Sequence, residues 1–487
     1  MSGEIDYQKI GFKCGLEIHN RLAVKHKLFC KCPARFSKQE KPSFTVFRKL
    51  RAVPGETGEI DVAAEFEFLR DRDYIYYVYE DTCCLVELDE EPPHEINKEA
   101  LFVALQIAKM LNCEIPEEIH VMRKIIIDGS NTSGFQRTAI VGLNGYIETS
   151  KGKVRINTVC LEEESAGIVE KNEKKVIYRL DRLGIPLIEI STAPDIKDPE
   201  HAKEVAEKIG MIIRSTGKSQ RGIGVTRQDL NVSITHGARV EIKGVQELEL
   251  IPKVLENEVK RQLEIIKKGE KPKPETRVAK ENGLTEFMRP LSGGERMYPE
   301  TDIPPIKISK EFIESIPIPE TLESKAKRFE KVIGKELAEQ IVKSEYLHEF
   351  EQLSAKFNPK LVARTFTVIL KSLKRDGYDI SKLSTKHFEK TFEFVEKGII
   401  AKESIEEILK KLCENPEKSI EKIIEELGIK SMDEKEIEKI IDEIFEKYPY
   451  LKEQKRFSAI MGEAMKILRG KVDGKIVAEI IKKKLCL

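Results

Sequence analysis

The sequence predicts an α+β fold, with an antiparallel sheet over residues 1–305 and helices beyond it. Three observations predict it. Short β-rich runs such as "YIYYVYE", "KIIIDG", "KVRINTV", "LIEIST", "NVSI" and "RVEIKG" alternate with glycine turns in the first part. Most intervals between these runs lack the helix that a parallel crossover requires. After the proline break "TDIPPIKIS" nearly every stretch carries helical periodicity.

Two helices interrupt the strand-rich region. "NKEALFVALQIAKMLN" sets Leu101, Leu105, Ala108 and Leu111 at helical spacing, and "DPEHAKEVAEKIGMIIRST" opens on an Asp-Pro start signal. Beyond the break, "ESKAKRFEKVIGKELAEQIVKS", "NPKLVARTFTVILKSLKRDG", "TKHFEKTFEFVEKG" and "AKESIEEILKKL" predict a helical domain over 306–412. The turn "CENPEKS" opens a last helical block, 413–487, with Lys466, Arg469, Lys471, Lys475 and Lys482 to Lys484. A basic helical tail suits a nucleic-acid backbone. A solvated charged face explains it equally well.

Bulk composition bounds the partners. The 487 residues include 84 basic and 84 acidic ones, so net charge names no polyanionic partner by itself. Neither a leader-like apolar stretch nor an 18-residue apolar run is present, which predicts a cytoplasmic protein without a membrane span. In a reducing compartment the nine cysteines are metal ligands or buried thiols, not disulfides.

The chemistry is read from acids in strand-like text. In "GLEIHNRL", Glu17 and His19 lie two residues apart and share a strand face. Such a pair gives one oxygen and one nitrogen to a cation. In "CLEEESAGI", Glu162 and Glu164 share a face while Glu163 points away. A bulge there lets two adjacent carboxylates converge. Glu189 sits in the apolar run "IPLIEIST", Asp229 lies between Arg227 and Asn231, and Glu241 lies two residues before Lys243. A carboxylate in an apolar run is costly unless paired or metal-bound, so each is a buried salt bridge or a ligand. Taken together, five β-segments each present an acid, which suits a metal–nucleotide site on an antiparallel sheet.

No GxxxxGK[ST] or GxGxxG phosphate loop is present. "IDGSNTSGFQRT" offers small residues and Arg137 as an anion clamp, or is a plain surface loop. No GxSxG or other nucleophile signature predicts a built-in amidase. Cys30 and Cys32 of "LFCKCP", with Cys83 and Cys84 of "DTCCLVEL", form either a four-thiolate zinc site or buried free thiols.

The motifs "GLEIH…KLFCKCP", "LVELDEEPPH", "IDGSNTSGFQRT", "CLEEESAGI", "YRLDRLGIPLIEIST", "TRQDLNVSI", "EIKGVQEL" and "MRPLSGGERMYPETDIPP" occur in order along the chain. Together they resemble the GatB/GatE family of glutamyl-tRNA(Gln) amidotransferase subunits, over essentially the whole length. "VELDEEPP" and "GSNTSGFQRT" are more similar to the E-type branch than to the B-type. E-type chains carry an inserted aspartyl-tRNA-synthetase-like domain before the "MRP" motif, but here only "KKGEKPKPETRVAKENGLTEF" bridges that place. The resemblance implies a cradle-like domain related to glutamine synthetase, followed by a helical domain and a tRNA-binding tail.

It also implies a reaction. ATP phosphorylates the side-chain carboxylate of glutamate esterified to tRNA(Gln), and ammonia from a partner amidase displaces phosphate. Glu17, His19, Glu162 and Glu163 fall on the motif positions for Mg2+. Glu189, Asp229, Asn231 and Glu241 fall on further metal or ATP positions, and Arg137, Arg227 and Lys243 on phosphate contacts. Glu164 is left to structure. The implied partner is an asparaginase-like D-type amidase in a hetero-oligomer that takes Glu-tRNA(Gln). The alternatives are a B-type subunit with A- and C-type partners, or a non-catalytic tRNA-binding scaffold.

Overall fold

The computed structural model describes residues 5–49, 60, 62–220, 222, 224–291, 297–428, 434–468 and 474–485. Among these lie sixteen strands: β1 (Lys13–Arg21), β2 (Phe44–Lys49), β3 (Asp73–Val78), β4 (Glu118–Ile119), β5 (Val121–Ile125), β6 (Phe135–Thr149), β7 (Gly152–Glu163) and β8 (Gly167–Lys171), then β9 (Lys175–Arg179), β10 (Pro186–Thr192), β11 (Thr226–Ser233), β12 (Val240–Val245), β13 (Glu275–Ala279), β14 (Thr285–Pro290), β15 (Met297–Pro299) and β16 (Ile306–Lys307).

Ten of them form one sheet in the order β14-β13-β12-β11-β1-β10-β7-β6-β5-β15. Every neighbouring pair is antiparallel except β12 and β13. That exception has its crossover, because the helix Leu250–Lys267 joins the two strands. This helix goes beyond the two expected in the strand-rich region, although Ile251, Val254, Leu255 and Val259 make one buried stripe of it. The short helix Val62–Leu69 is a further addition. A second sheet, β2-β3-β9-β8, contains the parallel pair β3 and β9.

Period-two alternation gives the large sheet two unlike faces. Leu16 and Ile18 of β1, Leu161 of β7, Ile188 and Ile190 of β10, Leu230 and Val232 of β11, and Ile242 of β12 are all buried in one core. Ala104 and Leu105 of the helix Lys98–Met110, Val205 and Ile209 of Pro199–Ser215, and Val254 of Leu250–Lys267 complete it. Asn97 caps the first of these helices by accepting from the Ala100 amide, and Asp198 caps the second through His201, as the Asp-Pro signal predicts. On the strands the opposite parity belongs to Glu17, His19, Glu162, Glu189, Asp229 and Glu241. Packing the apolar face on helices therefore turns the acids to the other side.

The chain divides into two compact units, Met1–Thr321 and Leu322–Leu487. The second is helical throughout its described residues. Phe366 packs edge-on to Phe388 and stacks on Tyr346 at 5.1 Å. Its last block, from the helix Glu434–Lys447 to Gly474–Leu485, has a cluster of its own built on Ile437, Ile441, Ile460, Ala464, Val477 and Ile481. Arg469 and Lys471 lie outside the described residues, as does the side chain of Lys475. Lys466 pairs with Glu463 and Lys484 with Asp442. No helix among the described residues is long and apolar enough to cross a membrane.

Candidate active site

Strand register decides which acids meet. Glu17 on β1 stands opposite Asp229 on β11, and His19 stands between Glu189 on β10 and Arg227 on β11. Leu187 of β10 pairs with Glu162 of β7, and Asn231 pairs with Glu241 of β12. Two groups of ligand atoms result, each with all its members within 4.8 Å of one another. One is His19, Glu162 and Glu189; the other is Glu17, Asp229 and Glu241.

Each group carries one lysine. Lys124 Nζ lies 3.2 Å from Glu162 Oε1 and 3.0 Å from Glu189 Oε2. Lys243 Nζ lies 3.0 Å from Asp229 Oδ2 and 2.8 Å from Glu241 Oε1. Neutral donors orient the acids: Thr138 Oγ1 donates to Glu162 at 2.9 Å, Gln136 Nε2 donates to its other oxygen at 3.1 Å, and Asn231 Nδ2 donates to Glu17 at 3.0 Å. His19 Nε2 lies 3.1 Å from Glu189 Oε2.

The electrostatics show a shortage of positive charge. Burial, with the Glu189 charge, pushes the Glu162 carboxyl up to about 7, and the same two causes push Glu17 up to about 7. Burial also opposes ionisation of Glu189, but Lys124 and His19 outweigh it and hold that carboxyl below the ordinary range. Asp229 is likewise held down against burial by Lys243 and His19. Five carboxylates and one imidazole form a hard, oxygen-rich donor set, which fits magnesium or manganese.

These directions set a pH dependence. With Glu17 and Glu162 raised from 4.5 to about 7, the folded chain holds protons that the unfolded chain releases across that window. Stability of the metal-free protein therefore falls as pH rises through it. A divalent ion held by these acids would compete with the same protons, so Mn2+ affinity should rise about tenfold or more from pH 6 to pH 8. Titration calorimetry at the two pH values checks this, and equal affinity would contradict it.

Glu163 does not join Glu162. Strand β7 stays regular through Glu163, and the irregularities of the neighbouring ladders lie at Ser191/Thr192 and Ile140/Gly142 instead of at "EEES". Without a bulge the side chains alternate, and Glu163 turns to the helix-side parity. There its carboxylate accepts from the Arg137 amide at 3.1 Å. Arg137 Nε donates to Glu300 at 2.8 Å, so this arginine also lies off the acid face. Glu164 returns to the acid face and accepts from Arg227 at 2.8 and 3.0 Å.

The thiols converge in part. Cys30, Cys32 and Cys84 meet with Glu87, their ligand atoms within 4.8 Å of one another. Cys83 is not among them and packs instead in the core of the smaller sheet. Cys30 Sγ donates to Glu87 Oε1 at 3.0 Å and the Cys84 amide donates to Glu87 Oε2 at 2.7 Å. Hydrogen bonds from Cys30 and Cys32 hold the Cys84 thiol well below its ordinary range, while Cys32 is pushed up to about 12. Lys27, buried beneath the cluster, lies 3.1 Å from Glu87.

Sequence reasoning missed Lys124, Glu87 and Glu300. Lys124 had a signal, since it alternates with the core-side Val121 and Arg123 along β5. Glu87 also had one, standing three residues after Cys84 where a thiolate pair would place its second sulfur.

Residues 12–314 match the family profile described as the GatB/GatE catalytic domain, and residues 348–485 match the GatB domain. The chain is 41% identical to a protein from Methanocaldococcus jannaschii named as the E-type subunit of glutamyl-tRNA(Gln) amidotransferase, over 627 aligned positions and 99% of each chain. It is 40% identical to the protein of that name from Archaeoglobus fulgidus, over 611 positions and 99% of each. The Thermococcus gammatolerans protein of that name is 38% identical over 628 positions, covering 100% of this chain and 99% of its own. Even the shortest of these alignments, at 611 positions against 487 residues, contains at least 124 positions that this chain leaves unfilled.

Proposed function

The chain belongs to the GatB/GatE family, and from that premise we propose that its acid face activates tRNA-bound glutamate with ATP and divalent ions. A glutamyl-tRNA(Gln) amidotransferase subunit is a ligase component that works with other subunits and with tRNA. The observation that carries the reading is the pair of three-ligand groups on one sheet face, each with a lysine seated on it.

A carboxylate is a poor electrophile, and phosphorylation gives it a leaving group. His19, Glu162 and Glu189 would hold one ion, and Glu17, Asp229 and Glu241 a second. Bound Mg2+ supplies charge that offsets the transferring phosphoryl group. Lys124 and Lys243 bring further positive charge to the same face, and Arg227 borders it beside His19. Thr138, Gln136 and Asn231 fix the carboxylates so that little reorganisation is needed when charge develops. Ammonia comes from an amidase partner, which we take to be the asparaginase-like D-type. Cys30, Cys32, Cys84 and Glu87 offer four donors of the kind that close a structural zinc site.

The full chain, given Glu-tRNA(Gln) and an ammonium salt, should form glutaminyl-tRNA only with ATP and Mg2+. Product without ATP, or none with it, sinks the reading. For the thiol cluster, metal analysis should return about one zinc per chain, and C84S should lose it. Unchanged zinc in C84S removes that assignment.

Lys124 also makes a separate expectation. As the cation already seated on Glu162 and Glu189, it competes with any ion there. Lys124→Met should therefore tighten Mn2+ binding several-fold in the free protein, read by calorimetry. Weaker binding would mean that the lysine instead organises the site.

A further inference from the structure

Beside the first ion group lies a concentration of arginine that the acids do not balance. Arg227 stands across the ladder from His19 and donates to both oxygens of Glu164. Arg182 Nη2 lies 3.8 Å from the same carboxylate and donates to the Ala166 carbonyl, while its Nε donates to the Ser165 carbonyl. Arg21, next but one to His19 on β1, is only 6% exposed, feels Glu164 and Arg227, and leaves its Nε without a hydrogen-bond partner. Two guanidiniums thus pair with one carboxylate, and a third lies within its field. Burying a guanidinium with an unmet donor is costly unless a ligand meets it.

The cluster ends on an aromatic ring. Phe36 is 40% exposed, and the Arg21 and Arg179 guanidiniums lie 5.3 and 5.1 Å from its centroid. Arg179 is neutralised by Asp181, at 2.8 Å from Nε, and so acts on the ring and not on an anion. An exposed ring set among guanidiniums is how proteins hold single-stranded nucleic acid: the base stacks and the phosphates take the cations.

We propose that Arg21, Arg182, Arg227 and Phe36 form a subsite for the single-stranded 3′ end of the tRNA. The guanidiniums take its last phosphodiesters and Phe36 stacks on a terminal base. This rests on the reading above, since the glutamate to be activated is esterified to the 3′-terminal ribose. The phosphates before that ribose must lie about one nucleotide from the acid face, which is where the arginines stand. The triphosphate of ATP travels with divalent ions and belongs with the carboxylates. A phosphodiester carries one charge and no ion, and matches a guanidinium alone. Glu164 holds Arg227 and Arg182 in place before the strand arrives.

The test uses the full chain and an acceptor-stem hairpin with its single-stranded 3′ tail, a fluorescent adenine analogue at the terminus, and a tail-less hairpin as control. Phe36→Leu should abolish quenching of the analogue and weaken tail-dependent binding roughly tenfold. Arg21→Gln should lower the slope of log affinity against log salt by about 0.7. Both should bind a non-hydrolysable ATP analogue as the wild type does. Unchanged tail binding in both variants overturns the proposal. So does a loss confined to the ATP analogue, which would assign the cluster to the triphosphate. Hairpin binding needs neither ATP nor metal. Failure of the wild type to make glutaminyl-tRNA therefore strikes the functional reading, and a failed tail test strikes only the subsite.

Discussion

Replacing Glu162 and Glu189 together by glutamine should lower ATP-dependent amidation about a thousandfold or more while leaving tRNA affinity within about twofold. Both are acids of the first ligand group, and Gln keeps their volume while removing the charge that would hold an ion. Lys124, seated on both carboxylates at 3.2 and 3.0 Å, loses its counter-charges as well. The measurement is single-turnover formation of glutaminyl-tRNA with ammonium as donor, beside a filter-binding titration with tRNA. Loss of tRNA binding in step with activity would point to a misfolded sheet. Full activity would remove these residues from the ion site. The matched control is Glu163→Gln, which lies on the other parity and should leave Mn2+ affinity unchanged.

Glu300→Ala should destabilise the first unit by about 3 kcal/mol, because it removes the nearest carboxylate of two arginines and leaves Arg137 only Glu163 at 3.5 Å and Arg123 only Asp302 at 3.6 Å. The Glu300 carboxylate is buried, accepts from Arg123 at 2.6 Å and from Arg137 at 2.8 Å, and also takes the Asp302 amide at 3.1 Å. Burial opposes its ionisation, yet the two guanidiniums hold its pKa below the ordinary range. The stability it contributes is therefore present above the unfolded carboxyl pKa and fades as pH falls below it. Urea unfolding at pH 7.5 reads the loss. Glu300→Gln keeps an acceptor oxygen for the guanidiniums and loses only the charge, so it should lose less than Glu300→Ala. If the glutamine variant is as stable as the wild type, the cost does not lie in unmet charge.

Much of this site was legible because alternation along a strand is strict. Glu17 and His19 share a face in "GLEIH", Glu189 and Glu241 each sit between apolar neighbours that had to face helices, and Asp229 is followed by one, Leu230. Once the helix side is fixed, the acid side follows. What could not be read is whether the alternation breaks. "CLEEES" permits a bulge, and the structure keeps the strand straight, so Glu162 and Glu163 part company. The parallel pair β12 and β13 escaped because its crossover helix, Leu250–Lys267, is dense with charge and shows its apolar stripe only when read at helical spacing. Tertiary partners were the least visible. Nothing near Lys124 in sequence announces Glu162 or Glu189, and nothing near Arg227 announces Glu164.

The place of β1 has a consequence for synthesis. It is the first strand of the chain, yet it lies between β10 and β11, and its partners come far later: 170 residues separate His19 from Glu189, and 214 separate Glu17 from Asn231. At ribosomal speeds of about 5–20 residues per second, the segment carrying Glu17 and His19 waits roughly 10 to 40 s for both neighbours to emerge. During that wait two open edges of a strand with one apolar face are available to other chains. A chaperone that shields the nascent first strand until β11 has left the ribosome should therefore raise the yield of folded protein more than one acting after release.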